Sequence, residues 1–396
     1  MNKNFTIQLP KKIIFGEDVI KNIPELAKQF KAKSVLFITD PTISQIGLSS
    51  KVINPLQEVG MKVEIYDKVE PEPSLKAAEL VMKFAREARY DLVIGMGGGS
   101  SLDMGKLASI SATNLGPIAD YIGVGNIPLP GLPKILIPTT SGTGSEITMN
   151  LIISHKEEGR KIGLVDPHII ADVAVIDPLL TISMPPKVTA ATGLDALTHA
   201  VESLMSIDLN PFTEPLAIDA VKLIFRSLKK AYDEGDNVEA RRDMSLASML
   251  AGTSLAISGV CAGHAAAYAF TVPVPHGVGC GLALPYTMEF NAPNCLSKLV
   301  AIAEATGVNR MGESKENNAF YAVSGVRELM KDVNFPISLR DIGIKEEDIE
   351  IMAERMLKVT RLLAHNPREL TMEDAVTLFR RMYEGEPMPL SEYNKN

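Results

Sequence analysis

The pattern of apolar and polar positions changes character near the middle of the chain. In the first half, short runs rich in β-branched residues alternate with stretches of helical spacing. KSVLFITD (33–40), KVEIYDKV (62–69), DLVIGMGGG (91–99), PKILIPTT (133–140) and ADVAVIDP (171–178) predict strands. Their apolar cores are nearly continuous, as in strands covered on both faces. AAELVMKFAREARY (77–90) and SLDMGKLASISATN (101–114) carry apolar residues at helical spacing. Alternation of strand and helix implies a mostly parallel sheet with right-handed crossovers. After ISMPPKV (182–188) no further strand run follows. LAIDAVKLIFRSLKKAYDEG, VEARRDMSLASMLAGTSLAI, CLSKLVAIAEATG, NAFYAVSGVRELMKDV, EEDIEIMAERMLKVTRLL and MEDAVTLFRRMYEG all predict helices. Met184-Pro185-Pro186 is a natural hinge, because proline cannot continue a helix and restrains its neighbour. The expected organisation is an α/β domain over 1–185 and an all-helical domain over 186–396, with no repeat.

The totals narrow the partners. With 396 residues, 46% apolar and 22% charged, the chain has ordinary globular composition and length for two domains. A net charge of −8 argues against a nucleic-acid partner. MNKNFTIQLPKKIIFG lacks the apolar centre of a signal peptide. Cys261, Cys280 and Cys295 are too few for a disulfide framework, which fits a reducing cytoplasm. From Met244 to Met288 there is no Asp, Glu, Lys or Arg. The stretch is rich in Ala, Gly and Ser rather than Leu, Ile and Phe, so a buried core helix is expected rather than a membrane span.

Two glycine loops follow strands. GMGGGSSLDMGK (95–106) opens a helix, where glycines let a backbone approach phosphate and the helix N-terminus offers N–H groups. It is neither GxGxxG nor the Walker pattern, and a tight turn alone would also use glycine. IPTTSGTGSEIT (137–148) offers hydroxyls and glycines for a second contact, or is a Ser/Thr-rich turn. Asp40 ends the first strand of the pattern. It suits an adenosine ribose and would repel a 2′-phosphate, or it forms an Asx turn ahead of Pro41.

Six histidines divide into two groups. His155, His168 and His365 lie in polar contexts expected to be exposed. His199 shares a helix face with Asp195, His264 lies in the uncharged stretch, and His276 sits between Pro and Gly. One carboxylate and three imidazoles can satisfy one another on a single divalent metal, with Fe(II), Zn(II), Co(II) or Ni(II) better suited than Mg(II). A rival is a structural zinc site built on Cys261-x-x-His264 and His276-x-x-x-Cys280, which leaves Asp195 and His199 unexplained.

GGGSSLD, IPTTSGTGSE, VDP (165–167), MPP with ATGLDALTHAVE, PHGVGCGLALP with MEFN, and HNPR extend over nearly the whole chain. In these motifs the sequence resembles the iron-containing (group III) alcohol dehydrogenase family. The resemblance implies a dinucleotide-binding α/β domain and a helical domain in a dehydroquinate synthase-like fold, with metal and substrate in the cleft between them. By motif, Asp195, His199, His264 and His276 are the metal ligands. Gly97, Gly98, Gly99 and Ser100 bind the pyrophosphate, with Asp103 supporting their loop. Thr139, Thr140, Ser141 and Thr143 line the cofactor site, Asp40 selects NAD over NADP, and Lys161 reaches the ribose or nicotinamide side. Glu72 stands where relatives often have Asn. Tyr268 stands where many relatives have a relay histidine four residues after the third ligand. It passes the proton or is a pocket wall, with water and the cofactor ribose as the other route, and Tyr268 and His276 are the candidate catalytic residues. The segment from His264 to His276 is shorter than the family pattern.

The activity implied is hydride transfer between NAD(H) and a small alcohol or aldehyde, with Fe(II) or Zn(II) as Lewis acid. A hydroxyacid–oxoacid transhydrogenase and a lyase-like enzyme on the same fold are alternatives, and a zinc-stapled binding protein is a third. The expected partners are a small-molecule substrate and a second copy of the chain in a dimer. Neither nucleic acid nor membrane is expected, and the expected location is the cytoplasm.

Overall fold

A computed structural model describes residues 4–155 and 160–389. The chain forms two compact units, Gln8–Ser183 and Met184 onward with the short segment ahead of Gln8.

The first unit is built on a six-stranded sheet of β1 (Lys12–Phe15), β2 (Ser34–Ile38), β3 (Lys62–Tyr66), β4 (Leu92–Gly97), β6 (Lys134–Pro138) and β9 (Val173–Ile176), in the order β1-β9-β6-β4-β2-β3. Every pairing in it is parallel. The continuous apolar runs have their expected cause. In β2, Val35 and Phe37 enter one core with Ile23, Leu26, Val52 and Leu56, while Leu36 and Ile38 enter the core on the other face with Ala78, Val81 and Leu107. The helices covering these faces are α1 (Ile23–Gln29), α2 (Pro41–Gln45), α3 (Ser50–Glu58), α4 (Leu75–Arg86) and α5 (Gly99–Ser111). Helix α5 lies close on β4 because glycines meet there. A Cβ on Gly105 would be 3.0 Å from the Gly95 Cα.

A second, three-stranded sheet was absent from the strand reading. It consists of β5 (Gly123–Val124), β7 (Asn150–His155) and β8 (Arg160–Val165), with β7 and β8 antiparallel. Leu151, Ile153 and Leu164 point from it into the core.

The second unit is all-helical among the described residues: α6 (Pro186–Met205), α7 (Thr213–Asp233), α8 (Val238–Ser258), α9 (Ala262–Ala269), α10 (His276–Thr306), α11 (Lys315–Asp332), α12 (Ile349–Leu357), α13 (Thr360–Leu363) and α14 (Met372–Glu384). Two expected helices change form. The run at 295–307 is the continuation of α10 across a kink at Cys295, two residues after Pro293. The run at 346–363 divides into α12 and α13, with Val359 out of helical geometry between them.

Helix α6 is buried on every side from Gly193 to Met205, the mark of a central helix. Its start is pinned by Arg241, which is fully buried. That guanidinium donates to the Thr189 hydroxyl, the Met184 carbonyl and the Gly235 carbonyl. The uncharged stretch is core, as expected: no single described helix is long and apolar enough to cross a membrane. Helices α8 and α9 pass that test only as a pair, bent by 95°.

Candidate metal centre and cofactor loops

Asp195, His199 and Glu202 fall at positions i, i+4 and i+7 of α6, one stripe of a helix that nowhere meets water in that region. Polar groups buried this way must find partners or cost free energy. His264 comes from the first turn of α9 and His276 opens α10 behind Pro275. Small residues let α10 approach α6. A Cβ on Gly277 would overlap the Ala191 carbonyl oxygen, and one on Gly281 would come 2.9 Å from the Leu194 Cβ.

Asp195, His199, His264 and His276 each offer one ligand atom, and these atoms lie within 4.8 Å of one another. The Asp195 Oδ1 is 3.9 Å from His199 Nε2 and 3.8 Å from His276 Nε2. The His199 and His264 rings stack at 4.8 Å. Two atoms of the set, Asp195 Oδ1 and His264 Nε2, are buried without a hydrogen-bond partner. Tetrahedral ligands about 2.1 Å from an ion stand about 3.4 Å apart, so the spacing needs only modest closure. Three imidazoles, one carboxylate and two orphaned polar atoms fit a divalent metal. Three of the ligands are buried, and His276 is half-buried at the open side.

The electrostatics agree. Burial pushes His199 down to about 4, so at neutral pH its ring is in the form a ligand needs. Burial pushes the Asp195 carboxyl up, but His199, His276, His264 and Cys280 outweigh it and hold it below the ordinary carboxylate range. His264 runs the other way from His199: burial disfavours its cation, but Glu202 outweighs burial and holds the imidazole above its ordinary value.

The structural-zinc rival lacks Cys261. Cys261 donates through Sγ to the carbonyl oxygens of Glu202 and His365, outside the ligand set. Cys280 Sγ lies 3.6 Å from His276 Nε2, at the edge of the set. The Tyr268 ring stands 5.7 Å from that of His276. His155, His168 and His365 differ from expectation, since each is partly buried rather than exposed. His365 pairs with Asp208 at 2.7 Å, and its ring packs against Gly259.

The cofactor candidates gather in the other unit. Gly97 has φ +145°, and a Cβ there would come 2.6 Å from Ser101 and 2.9 Å from the Asp40 Oδ2. Only glycine allows the turn to close this way. Gly98 precedes α5, and no side chain caps that helix. Gly99 faces Thr143, whose Cγ2 would be 2.8 Å from an added Cβ, and Thr139 N–H donates to the Gly97 carbonyl. The two glycine loops therefore form one nest, with Thr140 and Thr143 part-exposed and Thr139 and Ser141 buried.

Asp103 is the scaffold of that nest. Its Oδ1 accepts from the Ser145 hydroxyl at 2.6 Å and from Lys106, and its Oδ2 accepts from Ile152 N–H. Asp40 forms the local turn weighed for it, since Oδ1 caps α2 through Ile43 N–H, while Oδ2 accepts from Ser101 beside Gly97. Lys161 is held by Glu72 and by the Ser154 hydroxyl at 2.7 Å. Glu72 has φ +49°, a left-handed conformation that Asn adopts more readily, and Ser100 Oγ accepts from its N–H.

Two residues were missed by sequence reasoning. Lys106 is fully buried between Asp103, Ser145 and the Asn150 carbonyl, which ties α5 to the second loop. Glu202 is fully buried and bonds His264 Nδ1 at 2.5 Å. Its signal was its spacing, three residues after His199 on the ligand face.

Known proteins carry the same architecture. The description "Iron-containing alcohol dehydrogenase" fits residues 10–178, and "Fe-containing alcohol dehydrogenase family, C-terminal" fits residues 189–383. Long-chain-alcohol dehydrogenase 1 of Geobacillus thermodenitrificans is 40% identical over 92% of each chain. The crystal structure of a 1,3-propanediol oxidoreductase superposes with a TM-score of 0.93 at 34% identity, over 96% of this chain and 100% of that one. An alcohol dehydrogenase from Oenococcus oeni superposes with a TM-score of 0.92 at 35% identity, over the same shares. These relatives do not favour the transhydrogenase alternative. The chain belongs to the iron-containing alcohol dehydrogenase family and is an oxidoreductase of the NAD(P)-dependent, metal-using alcohol dehydrogenase type.

Proposed function

We propose that this dehydrogenase moves a hydride between NAD(H) and a small, neutral alcohol or aldehyde at one divalent metal held by Asp195, His199, His264 and His276. The observation that carries this reading is the pair of buried, partnerless atoms, Asp195 Oδ1 and His264 Nε2, inside a ring of four ligand residues. When bound, the metal supplies a Lewis acid for the substrate oxygen and the nicotinamide supplies or accepts the hydride. The rest is work for this chain. Gly97, Gly98, Gly99 and Ser100 hold the pyrophosphate at the uncapped start of α5, where N–H groups and the helix dipole favour an anion. Thr139, Thr140, Ser141 and Thr143 line the same nest, and Asp103 keeps its two loops together. Lys161 contacts the cofactor from its seat between Glu72 and Ser154. Tyr268, half-buried beside His276, passes the proton of the substrate oxygen.

NAD is preferred to NADP because the Asp40 carboxylate would face a 2′-phosphate. The donor set supports Fe(II) or Zn(II) alike. A neutral substrate is supported by the lack of charged side chains from Met244 to Met288, the stretch that supplies His264, Tyr268 and His276. A homodimer is supported by the family and by β1 at an open sheet edge, and a cytoplasmic location by three free cysteines.

The test is metal content by mass spectrometry on protein purified without air or chelator, alongside turnover of free NADH with short aldehydes. About one iron or zinc per chain, lost in a folded His276→Ala variant together with turnover, is the expected result. Folded wild-type protein that neither holds nor takes up Fe(II) or Zn(II) would refute the four-ligand reading. Metal without turnover of free NADH would point to transhydrogenation.

A further inference from the structure

Glu202 is outside the four-ligand set, yet its position is as constrained as theirs. It is fully buried, and both carboxylate oxygens are used. Oε2 meets His264 Nδ1 at 2.5 Å, and Oε1 accepts from the Gly263 N–H at 2.5 Å. Both partners lie in the first turn of α9, so one carboxylate grips the turn by its backbone and by its imidazole. Gly263 makes room for this grip. A Cβ there would come 2.9 Å from Glu202 Oε1 and 3.3 Å from its Cδ.

A neutral imidazole carries one proton, and its location decides which nitrogen has a lone pair to give. An ionised carboxylate only accepts, so Glu202 draws the proton of neutral His264 to Nδ1. The lone pair is left on Nε2, the atom that is buried without a partner among Asp195, His199 and His276. Buried carboxylates also need balancing charge. Asp195 and Glu202 together match one divalent ion.

We propose that Glu202 is the positioning residue of the metal centre: it selects the His264 tautomer that presents Nε2 and clamps the α9 turn that carries it. The proposal rests on the four-ligand reading. It predicts a particular failure for Glu202→Gln. Glutamine keeps the size, and its amide oxygen accepts from Gly263 N–H. Its NH2 then faces His264 Nδ1 and forces the proton to Nε2, where the ligand lone pair is needed. Carboxylate partners of ligand histidines are typically worth ~10–100-fold in metal affinity.

The experiment uses metal-stripped full-length protein titrated with Co(II) against a competing chelator, recording affinity and the visible Co(II) spectrum. Melting of the metal-free protein reports the fold. Glu202→Gln is expected to weaken Co(II) binding ~10–100-fold and to change the spectrum, with metal-free melting close to wild type. Gly263→Ala displaces the carboxylate without altering it and is expected to weaken binding in the same direction. Glu202→Asp keeps a carboxylate and should recover part of the affinity. Wild-type affinity and spectrum in both Glu202→Gln and Gly263→Ala would overturn the proposal. So would loss of binding that accompanies collapse of the metal-free fold in both. If wild-type protein takes up no Co(II), the four-ligand reading itself fails and the role of Glu202 goes with it.

Discussion

Replacing Gly277 by alanine adds one methyl group where α10 meets α6. The new Cβ would overlap the Ala191 carbonyl oxygen, lie 3.0 Å from its carbon and 3.2 Å from the Asp195 Cβ. A helix carbonyl cannot swing aside as a flexible side chain can, so the first turn of α10 must move. Restoring ordinary contact to that oxygen requires a displacement on the order of 1 Å, and overpacking of this kind costs about 1–3 kcal/mol. His276 is on the same turn, with Nε2 now 3.8 Å from Asp195 Oδ1. Metal sites hold their ligand distances to within about 0.2 Å, so the displacement is several times the tolerance. Gly277→Ala should therefore bind Zn(II) at least ~10-fold more weakly, measured by chelator competition, and lose turnover in proportion. Gly325→Ala is the control. Its Cβ would meet the Val308 Cγ1 at 3.2 Å, far along the chain from any ligand, so it should alter melting without altering metal affinity. Wild-type Zn(II) affinity in Gly277→Ala would refute the claim that this helix contact sets the ligand geometry.

Asp40→Ala removes the cap of α2, about 1 kcal/mol, and should raise the ratio of kcat/KM for NADPH over NADH; an unchanged ratio would remove Asp40 from cofactor selection. Glu146 governs a pH dependence. Burial pushes its carboxyl from 4.5 up to about 7, against the pull of its own backbone and of Lys106. The folded protein thus keeps a proton that the unfolded chain releases, so this stabilisation is complete below about pH 4.5 and lost as pH rises through about 7. Glu146→Gln should remove up to about 3 kcal/mol of stability loss between pH 5 and 8, seen as a flatter dependence of melting temperature on pH, and parallel curves for the two proteins would contradict this. Arg241→Ala strips partners from the Met184 and Gly235 carbonyls and leaves a cavity, so denaturant melts should show a loss of about 3 kcal/mol or more. Lysine cannot reproduce the three-way fork, and recovery of stability by Arg241→Lys would count against the hydrogen bonds as its source.

Five of the six strands of the central sheet were legible because runs such as VLFI and LVIGM are apolar on both faces, as a doubly covered sheet requires, whereas the edge strand β1 is short and half exposed. The hairpin of β7 and β8 escaped notice because its alternation is short. Leu151 and Ile153 on one strand oppose Leu164 and Ile162 on the other, a pairing visible only once the strands meet. Of the centre, the spacing of Asp195 and His199 was readable on one helix. The approach of His264 and His276 depends on glycine contacts at 263, 277 and 281 that no periodicity encodes. Lys106 shows the same limit. Its position excludes a Walker loop, but nothing in the sequence indicates that its ammonium is sealed against Ser145 and the Asn150 carbonyl.

The bend between α8 and α9 also separates two apolar helices that together match a membrane span in length and composition. The run from Met244 to Met288 emerges from the ribosome without one charged side chain. Insertion machinery sorts such segments by the free energy of a continuous apolar helix of about 20 residues. Gly259, at φ +74°, ends α8, and the path turns by 95° before α9 begins. Any other residue would be strained at this positive φ, and its Cβ would come 2.8 Å from the His365 ring. The same turn brings the His264 ring to 4.8 Å from that of His199. One glycine thereby breaks a path of bilayer length and, by the same turn, delivers the imidazole of His264 to the ring of His199.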